Sequence, residues 1–385
     1  MLVRRAVVSL LAAVGAMTLT SVPVASASSP PAIAYMCGRA GQRGLAAQIC
    51  VANADGSGER VLTEASDNLN IGPVWSPDGT KIAYLCRWNQ DSAAIFLALR
   101  DVVDFGPLGY ARNSGGEVCV TGIDGSVRLI LSAAHGLANA PAWSPDGRFV
   151  VYSSPDGIQF GNPSMPSLVG RILVPASYSP DFPAWSPDGT KLAFTVATES
   201  GTAIAVADIK SAGLVVPVVE AVKQLTAGDG TNDLGPAWSP DSTQIAFTRY
   251  ADFSRESWVV GSDGLNARRV GQATGMLDPN RGLSFTPVWT GDGASVIVLQ
   301  RTNNQAQLVR VPVAGGAADI LVKSPPKRVL LAPSLSPDGK TILFIDNRAG
   351  TMFRLYESDV RTGKATRLAQ GPIEGDSSWR PTPRR

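Results

Sequence analysis

The sequence has 385 residues, 44% of them hydrophobic, and its 34 basic and 32 acidic residues give a formal charge of +2. This near-neutral balance, with no run of five basic residues, argues against a nucleic-acid-binding surface and against strong attraction to anionic membranes. The length would ordinarily suggest two or three domains, but internal repeats extend a single domain well beyond the usual size.

The first residues have the features of a secretory signal peptide. Arg4 and Arg5 precede an apolar stretch from Ala6 to Leu19, and Ala25-Ser26-Ala27 offers the small-x-small pattern that signal peptidases cleave. The stretch is short for a bilayer-spanning helix, and a retained membrane anchor is the alternative. We expect residues 1–27 to be removed, which leaves 32 basic and 32 acidic residues and no membrane span.

One motif, P-x-W-S-P-D-G, recurs along the rest of the sequence. Its copies are Pro73–Gly79, Pro141–Gly147, Pro183–Gly189, Pro236–Ser242, Pro287–Gly293 and Pro333–Gly339. A short apolar run, such as Ile82-Ala83-Tyr84, follows each copy. Recurrence on this scale indicates one structural unit repeated about every fifty residues.

The residues of the motif predict a strand, a tight turn and a second strand. The Trp supplies a large apolar body for packing between units, and Ser-Pro-Asp-Gly has the residue types of a turn. A further strand pair follows in most units, as in Ile49–Thr63, Val118–Leu131 and Trp258–Val270. Four strands per unit are typical of a β-propeller blade.

The two ends of the sequence complement each other. Ile33-Ala34-Tyr35 reads as the second strand of a blade that lacks its first, and Ser377–Pro381, with Trp379, reads as a truncated surplus copy. We therefore predict an all-β fold: a β-propeller of seven four-stranded blades, in which the C-terminal strand completes the N-terminal blade and removes the exposed edges. Six blades is the alternative if the terminal pieces do not combine. Residues 28–385 would form this single domain.

These repeats, from about Ile33 to Trp379, resemble those of the TolB-like propeller family, the WD40-like PD40 repeats. The resemblance implies the propeller fold and, by analogy with TolB, partnership with a peptidoglycan-associated lipoprotein. This sequence departs from TolB in two respects: we expect no N-terminal α/β domain before Ile33, and we expect seven blades instead of six. The motif is structural, so it is specific for fold and uninformative about function.

Four cysteines occupy matching places in the first two blades. Cys37 and Cys86 end second strands, and Cys50 and Cys119 belong to the third strands beside them. Adjacent antiparallel strands bring such positions within disulfide range, so we predict Cys37–Cys50 and Cys86–Cys119. Export to an oxidising compartment favours this pairing. Four buried free thiols are the alternative, and a four-Cys zinc site lacks a C-x-x-C pair.

Candidate binding residues lie where loops vary in length. The tight Ser-Pro-Asp-Gly and Asp-Gly turns share one face, and the loops between second and third strands, with the connections between blades, share the other, which we call the open face. The largest variation is an insertion at about 87–117, whose Trp88, Phe105 and Tyr110 predict a binding lip. A locally packed insertion that shields a blade edge is the alternative.

Polar residues are also expected at the open-face entrance, just before the inner strands. They are Asn68, Asn70, Asn139, Asp181, Asn232, Asp233 and Arg281. Ligand binding is one interpretation of this set. Turn capping by Asn and Asp side chains is the other.

Catalytic signatures are scarce. The one histidine, His135, is expected in a loop, no G-x-S-x-G run occurs, and no hydrolase domain of the prolyl-oligopeptidase kind is expected after the propeller. The repeated Asp of the motif sits inside a tight turn, where it is expected to bond backbone N–H groups rather than calcium. No Gly-rich phosphate loop is present, so we expect no cofactor.

The sequence therefore favours a secreted, non-catalytic binding or scaffolding propeller, released or retained in the periplasm or cell wall. Its partner would be a protein or cell-envelope ligand on the open face, and we expect a monomer that binds no nucleic acid. The alternative is a carbohydrate lyase or hydrolase with two carboxylates, or a carboxylate with Tyr or Arg, in the central channel. A purely structural interaction module is a third hypothesis.

Overall fold

The structure, a computed structural model, describes residues 32–382 apart from several gaps. The gaps are 42–43, 64–68, 89–114, 127–128, 136–140, 155, 166–167, 169–170, 176–177, 211–215, 252–253, 275–285, 303–304, 326–327, 349–353 and 369–372. The predicted signal peptide, residues 1–27, lies outside the described residues. Among the described residues, no helix combines the length and hydropathy needed to cross a bilayer.

Nearly all regular structure is β-strand. The first half of the described chain contains β1 (Ile33–Gly41), β2 (Gly44–Ala52), β3 (Arg60–Val61), β4 (Leu69–Trp75), β5 (Lys81–Trp88), β6 (Gly115–Gly122), β7 (Leu129–His135), β8 (Ala142–Trp143), β9 (Val150–Ser154), β10 (Gly157–Gly161), β11 (Arg171–Pro175), β12 (Asp181–Trp185), β13 (Lys191–Ala197) and β14 (Thr202–Lys210). The second half contains β15 (Val218–Gln224), β16 (Asn232–Trp238), β17 (Gln244–Ala251), β18 (Ser254–Gly261), β19 (Arg268–Thr274), β20 (Val288–Trp289), β21 (Ser295–Thr302), β22 (Gln305–Pro312), β23 (Asp319–Lys323), β24 (Arg328–Leu335), β25 (Thr341–Arg348), β26 (Arg354–Asp359), β27 (Ala365–Arg367) and β28 (Ile373–Trp379).

The strands pair in sets of four. Five sheets have four strands each, in the orders β28-β1-β2-β3, β4-β5-β6-β7, β11-β10-β9-β8, β20-β21-β22-β23 and β24-β25-β26-β27. The sixth sheet has eight strands, but a single parallel pair, Thr202 with Asn232, joins its halves β12–β15 and β16–β19. Counted this way, the described strands form seven four-stranded groups, the arrangement that the seven-blade interpretation requires.

The ends of the chain meet in one sheet. β28 pairs with β1 antiparallel, from Ile33 opposite Trp379 to Gly38 opposite Ile373. The backbone N–H of Arg380 donates to the carbonyl oxygen of Ala32 at 2.7 Å. The prediction that the C-terminal strand completes the N-terminal blade is confirmed.

The repeated Asp of the motif organises its own turn. In the fourth copy, the Ser239 hydroxyl donates to Asp241 Oδ1 at 2.6 Å and the Thr243 backbone N–H donates to the same oxygen at 3.1 Å. The same two bonds recur at Asp78, Asp146, Asp188, Asp292 and Asp338. The expected bonding of this Asp to backbone N–H groups is confirmed. The hydrogen bond from Ser239 lowers the pKa of Asp241 below its ordinary value, because it stabilises the carboxylate.

In five copies of the motif, the Trp links its blade to the preceding one. Its indole N–H donates to a backbone carbonyl of the preceding blade. The acceptor is the residue just before that blade's own motif Trp, or just before Leu335, which stands in place of Trp in the sixth copy. The pairs are Trp75 with Ser378 at 3.2 Å, Trp143 with Val74 at 3.1 Å, Trp238 with Ala184 at 3.0 Å, Trp289 with Ala237 at 2.9 Å and Trp379 with Ser334 at 3.0 Å. Trp185 is buried in the same way, but its indole nitrogen has no hydrogen-bond partner among the described residues.

Candidate functional site

An irregularity in the inner strands positions the polar residues at the open-face entrance. Three residues before the Trp, the backbone of β4, β12 and β16 adopts a left-handed conformation, at Gly72 (φ 62°), Phe182 (φ 56°) and Gly235 (φ 63°). The pairing register shifts at the same place in each strand. Such a bulge re-aims the side chains that precede it. Phe182 holds this conformation without being glycine, at a cost of about 1–3 kcal/mol.

Among the described entrance residues, Asp233 forms a bidentate ion pair. It lies opposite Arg249 in the β16–β17 ladder, and the two side chains form a bidentate ion pair with both N–O distances at 2.7 Å. The Asp233 side chain is 0% exposed and that of Arg249 is 17% exposed. The hydrogen bonds that Arg249 donates to Asp233 raise the pKa of Arg249 above its ordinary value, because they stabilise its charged form. Sequence reasoning identified Asp233 but not this partner.

The pair continues outward as a chain of contacts across the blade. The Arg249 guanidinium lies 4.3 Å from the Trp258 ring centre, and the Trp258 indole donates to Glu256 at 2.8 Å. Glu256 also accepts a hydrogen bond from Arg269 on the outermost strand at 2.9 Å. Polar residues of all four strands are therefore committed to one structural network.

Two other entrance residues are also held by the protein. The Asn70 amide donates to Gln48 Oε1 at 3.2 Å and to Thr63 Oγ1 at 3.4 Å, and Asn70 is buried. Asp181 accepts a hydrogen bond from the backbone N–H of Phe182 at 2.8 Å, which is a local capping contact.

Several sequence predictions need correction or lie outside the described residues. Asn70, Asp181 and Asp233 were expected before the inner strands, but they lie within β4, β12 and β16, because pairing continues past the bulge. His135 was expected in a loop and is instead the last residue of β7, opposite Gly115. Trp88 is the last residue of β5, and the structure does not describe its side chain. Phe105, Tyr110, Asn139 and Arg281 lie outside the described residues, as does most of the insertion at 87–117.

The four cysteines form the two predicted disulfides. Cys37 is joined to Cys50 and Cys86 to Cys119, with Cα–Cα distances of 5.8 and 5.9 Å. Cys86, Glu117 and Cys119 are the only group of potential metal ligands that converge in the part of the chain described. Both of its sulfurs belong to a disulfide, so no thiolate is available to a metal. Disulfides fit an oxidising compartment.

Glu357 is a described carboxyl group with a raised pKa, which is a property of general acids. Burial, and then the charge of Asp55, raise the pKa of Glu357. Glu357 lies on β26, a third strand, and Asp55 lies in the tight turn between β2 and β3. This pair is therefore remote from the inner strands that line the channel.

Comparison with known proteins identifies the family. The family model described as the TolB beta propeller domain, PD40, matches residues 171–382, more than half of the chain. This protein belongs to the TolB β-propeller family. The match spans five of the motif copies or their remnants, including the closing strand β28.

Solved propellers of low sequence identity share the fold of this TolB-family chain. TolB from Acinetobacter baumannii is 18% identical over 82% of this chain and 83% of that one, with a TM-score of 0.47. The β-propeller domain of the Trilobed protease from Pyrococcus furiosus is 12% identical over 88% and 95%, with a TM-score of 0.56. Oligogalacturonate lyase from Vibrio parahaemolyticus is 12% identical over 89% and 87%, with a TM-score of 0.54. The last two support the fold alone.

Proposed function

We propose that this protein is a secreted, non-catalytic β-propeller that binds a protein or another cell-envelope ligand on the open face. Residues 1–27 would direct export, and residues 28–385 would act as a monomeric single domain in the periplasm, in the cell wall or outside the cell. Membership of the TolB propeller family and two disulfides support this proposal.

The observation that carries the proposal is the commitment of the entrance polar groups to the fold. Asp233 is fully buried against Arg249, and Asn70 is buried against Gln48. A general acid or base must reach its substrate, and these groups face protein partners instead. We therefore assign recognition to the open-face loops, which vary in length on a closed frame.

The loops differ most in the second blade. The β13–β14 turn is closed by four residues, with the Thr198 backbone N–H bonded to the Gly201 carbonyl at 2.9 Å. In contrast, β5 and β6 are separated by residues 89–114. We propose that this insertion, with Trp88, Phe105 and Tyr110, forms one lip of the binding surface. Asn139 and Arg281, on blade connections, would contribute to the same face.

The test is capture of ligands from native cell envelopes by the immobilised mature protein. Glu199, exposed in the β13–β14 turn, and Asp263, exposed in the β18–β19 turn, lie on opposite faces because their turns join opposite ends of the strands. We expect the same captured species from the wild type and from Asp263→Arg, and loss of it in Glu199→Arg. Equal loss in both variants, or cleavage of wall polysaccharides by the wild-type protein, would contradict the proposal.

A further inference from the structure

A groove lies between two neighbouring blades, on the outer side away from the inner strands. Its volume is about 950 Å³, and it separates β19 from the face formed by β22 and β23 of the next blade. The groove follows β22 from Gln307 to Pro312 and reaches Val313 just beyond the strand. Five residue steps in a strand span about 17 Å, so the groove has room for a short extended peptide.

Two contacts between the blades fix the groove at its ends. Arg268 Nε donates to the carbonyl oxygen of Val313 at 3.3 Å. At the other end, Gly271 of β19 lies beside the side chain of Gln300 on β21, whose Nε2 would be 2.6 Å from a Cβ added to Gly271. The Gln300 side chain can move, but the φ of Gly271, 79°, is itself a conformation that favours glycine. The groove is therefore shaped by the fold.

The floor of the groove is apolar and partly open. Val309 and Val311 are buried beside Val270, whereas Ile320 on β23 is 57% exposed. Covering Ile320 with an apolar side chain of a ligand would remove this area from water, which favours binding. β19 is also the last strand of its sheet, so it offers the backbone groups of a strand edge to an extended ligand.

The charge of the lining has one sign. Arg268 and Arg269 are the charged residues among those that line the groove. Arg269 is paired with Glu256, which lies outside the lining, but Arg268 donates to neutral oxygens of Val313, Asn266 and Gln244. The whole chain has a formal charge of only +2, so this positive charge is local. This positive charge would attract an acidic ligand.

We propose that this groove binds an extended segment of a partner protein in which apolar and acidic residues alternate. The apolar side chains pack on Val309 and Ile320, and the acidic ones lie at the rim beside Arg268. Arg268 and Ile320 lie at the tight-turn end of the groove, away from the open-face loops, so a substitution there tests this proposal separately from the open-face proposal.

The experiment uses a defined probe, a fluorescent eight-residue peptide that alternates valine and glutamate, titrated by anisotropy against the mature protein. Ile320→Glu removes the exposed apolar contact and adds a repelling charge. The matched control is Leu265→Glu, since Leu265 is 62% exposed and does not line the groove. We expect binding with a Kd below about 100 µM, weakened about tenfold or more by Ile320→Glu and within about twofold of wild type in Leu265→Glu. Melting curves establish that both variants fold.

Three results would overturn the proposal: no anisotropy change up to about 1 mM peptide, equal binding of a peptide with lysine in place of glutamate, or equal effects of the two variants. Sedimentation tests whether a second copy of this chain occupies the groove instead. A dimer that Ile320→Glu alone dissociates would assign the groove to a second copy of this chain and refute the peptide. Envelope capture through Glu199 is expected to be unchanged in Ile320→Glu, whatever the outcome at the groove.

Discussion

The substitution Asp233→Asn tests whether this entrance residue is structural. Asp233 is 0% exposed, and both of its oxygens bond Arg249, which is 17% exposed and lies over Trp258. The substitution leaves a largely buried guanidinium without its counter-charge. Breaking a buried ion pair by removing one partner costs about 3–5 kcal/mol, so we expect a loss near the lower end of that range, because asparagine keeps one acceptor.

Urea unfolding, followed by tryptophan fluorescence, measures this loss, with Asp319→Asn as the control. Arg310 and Asp319 form an ion pair at a similar distance, 2.7 Å, but their side chains are 38% and 61% exposed. The control is therefore expected to change the free energy of unfolding by less than about 1 kcal/mol. Adding Arg249→Met to Asp233→Asn should recover about 1–3 kcal/mol of the loss as coupling. If Asp233→Asn costs no more than the control, the structural assignment of Asp233 is wrong.

Three further predictions concern the repeat, a disulfide and the motif Asp. Trp143→Phe is expected to lower the free energy of unfolding by about 1 kcal/mol more than Trp185→Phe, because of these two residues only Trp143 donates its indole N–H to a carbonyl. Urea unfolding midpoints measure the difference, and equal losses in the two variants would contradict the prediction. Replacing Cys86 and Cys119 by alanine opens a loop with a sequence separation of 33 and should lower the free energy of unfolding by about 3.7 kcal/mol. Thermal unfolding without reductant measures this loss, and an unchanged melting temperature would contradict the Cys86–Cys119 disulfide. The pKa of Asp241 is lower in the folded protein than the unfolded value of about 3.9, so its carboxylate stabilises the fold above that pH, and this stabilisation is lost as the pH falls through the folded pKa. Asp241→Asn should therefore flatten the decline of melting temperature below about pH 4. An unchanged decline would count against the turn bonds.

The repeat allowed the architecture to be predicted, because its residues act locally. Ser-Pro-Asp-Gly closes its own turn, and the motif Trp is buried in five copies, at Trp75, Trp143, Trp185, Trp238 and Trp289. The inner-strand bulge was not predictable in the same way. Gly72 and Gly235 mark it in two blades, but Phe182 takes the left-handed conformation in a third, where packing overrides the backbone preference. Trp185 likewise shares the motif of its neighbours and lacks their indole bond.

The candidate site was less predictable because it depends on register between strands. Asp233 was singled out as polar and close to the entrance, yet its function follows from Arg249, sixteen residues away and directly opposite in the ladder. The groove beside Ile320 joins residues of two blades, and neither blade's sequence marks it. A single sequence shows which residues are polar, whereas tertiary packing decides which of them are already bonded.

Hydrogen–deuterium exchange of the mature protein, with and without the species captured from cell envelopes, tests the central claim most directly. The account predicts that binding protects open-face backbone, including the turn 198–201 and the connection 227–231, and leaves the tight turn around Asp263 unchanged. Protection confined to the tight-turn face, or spread evenly over both faces, would contradict recognition through the open face.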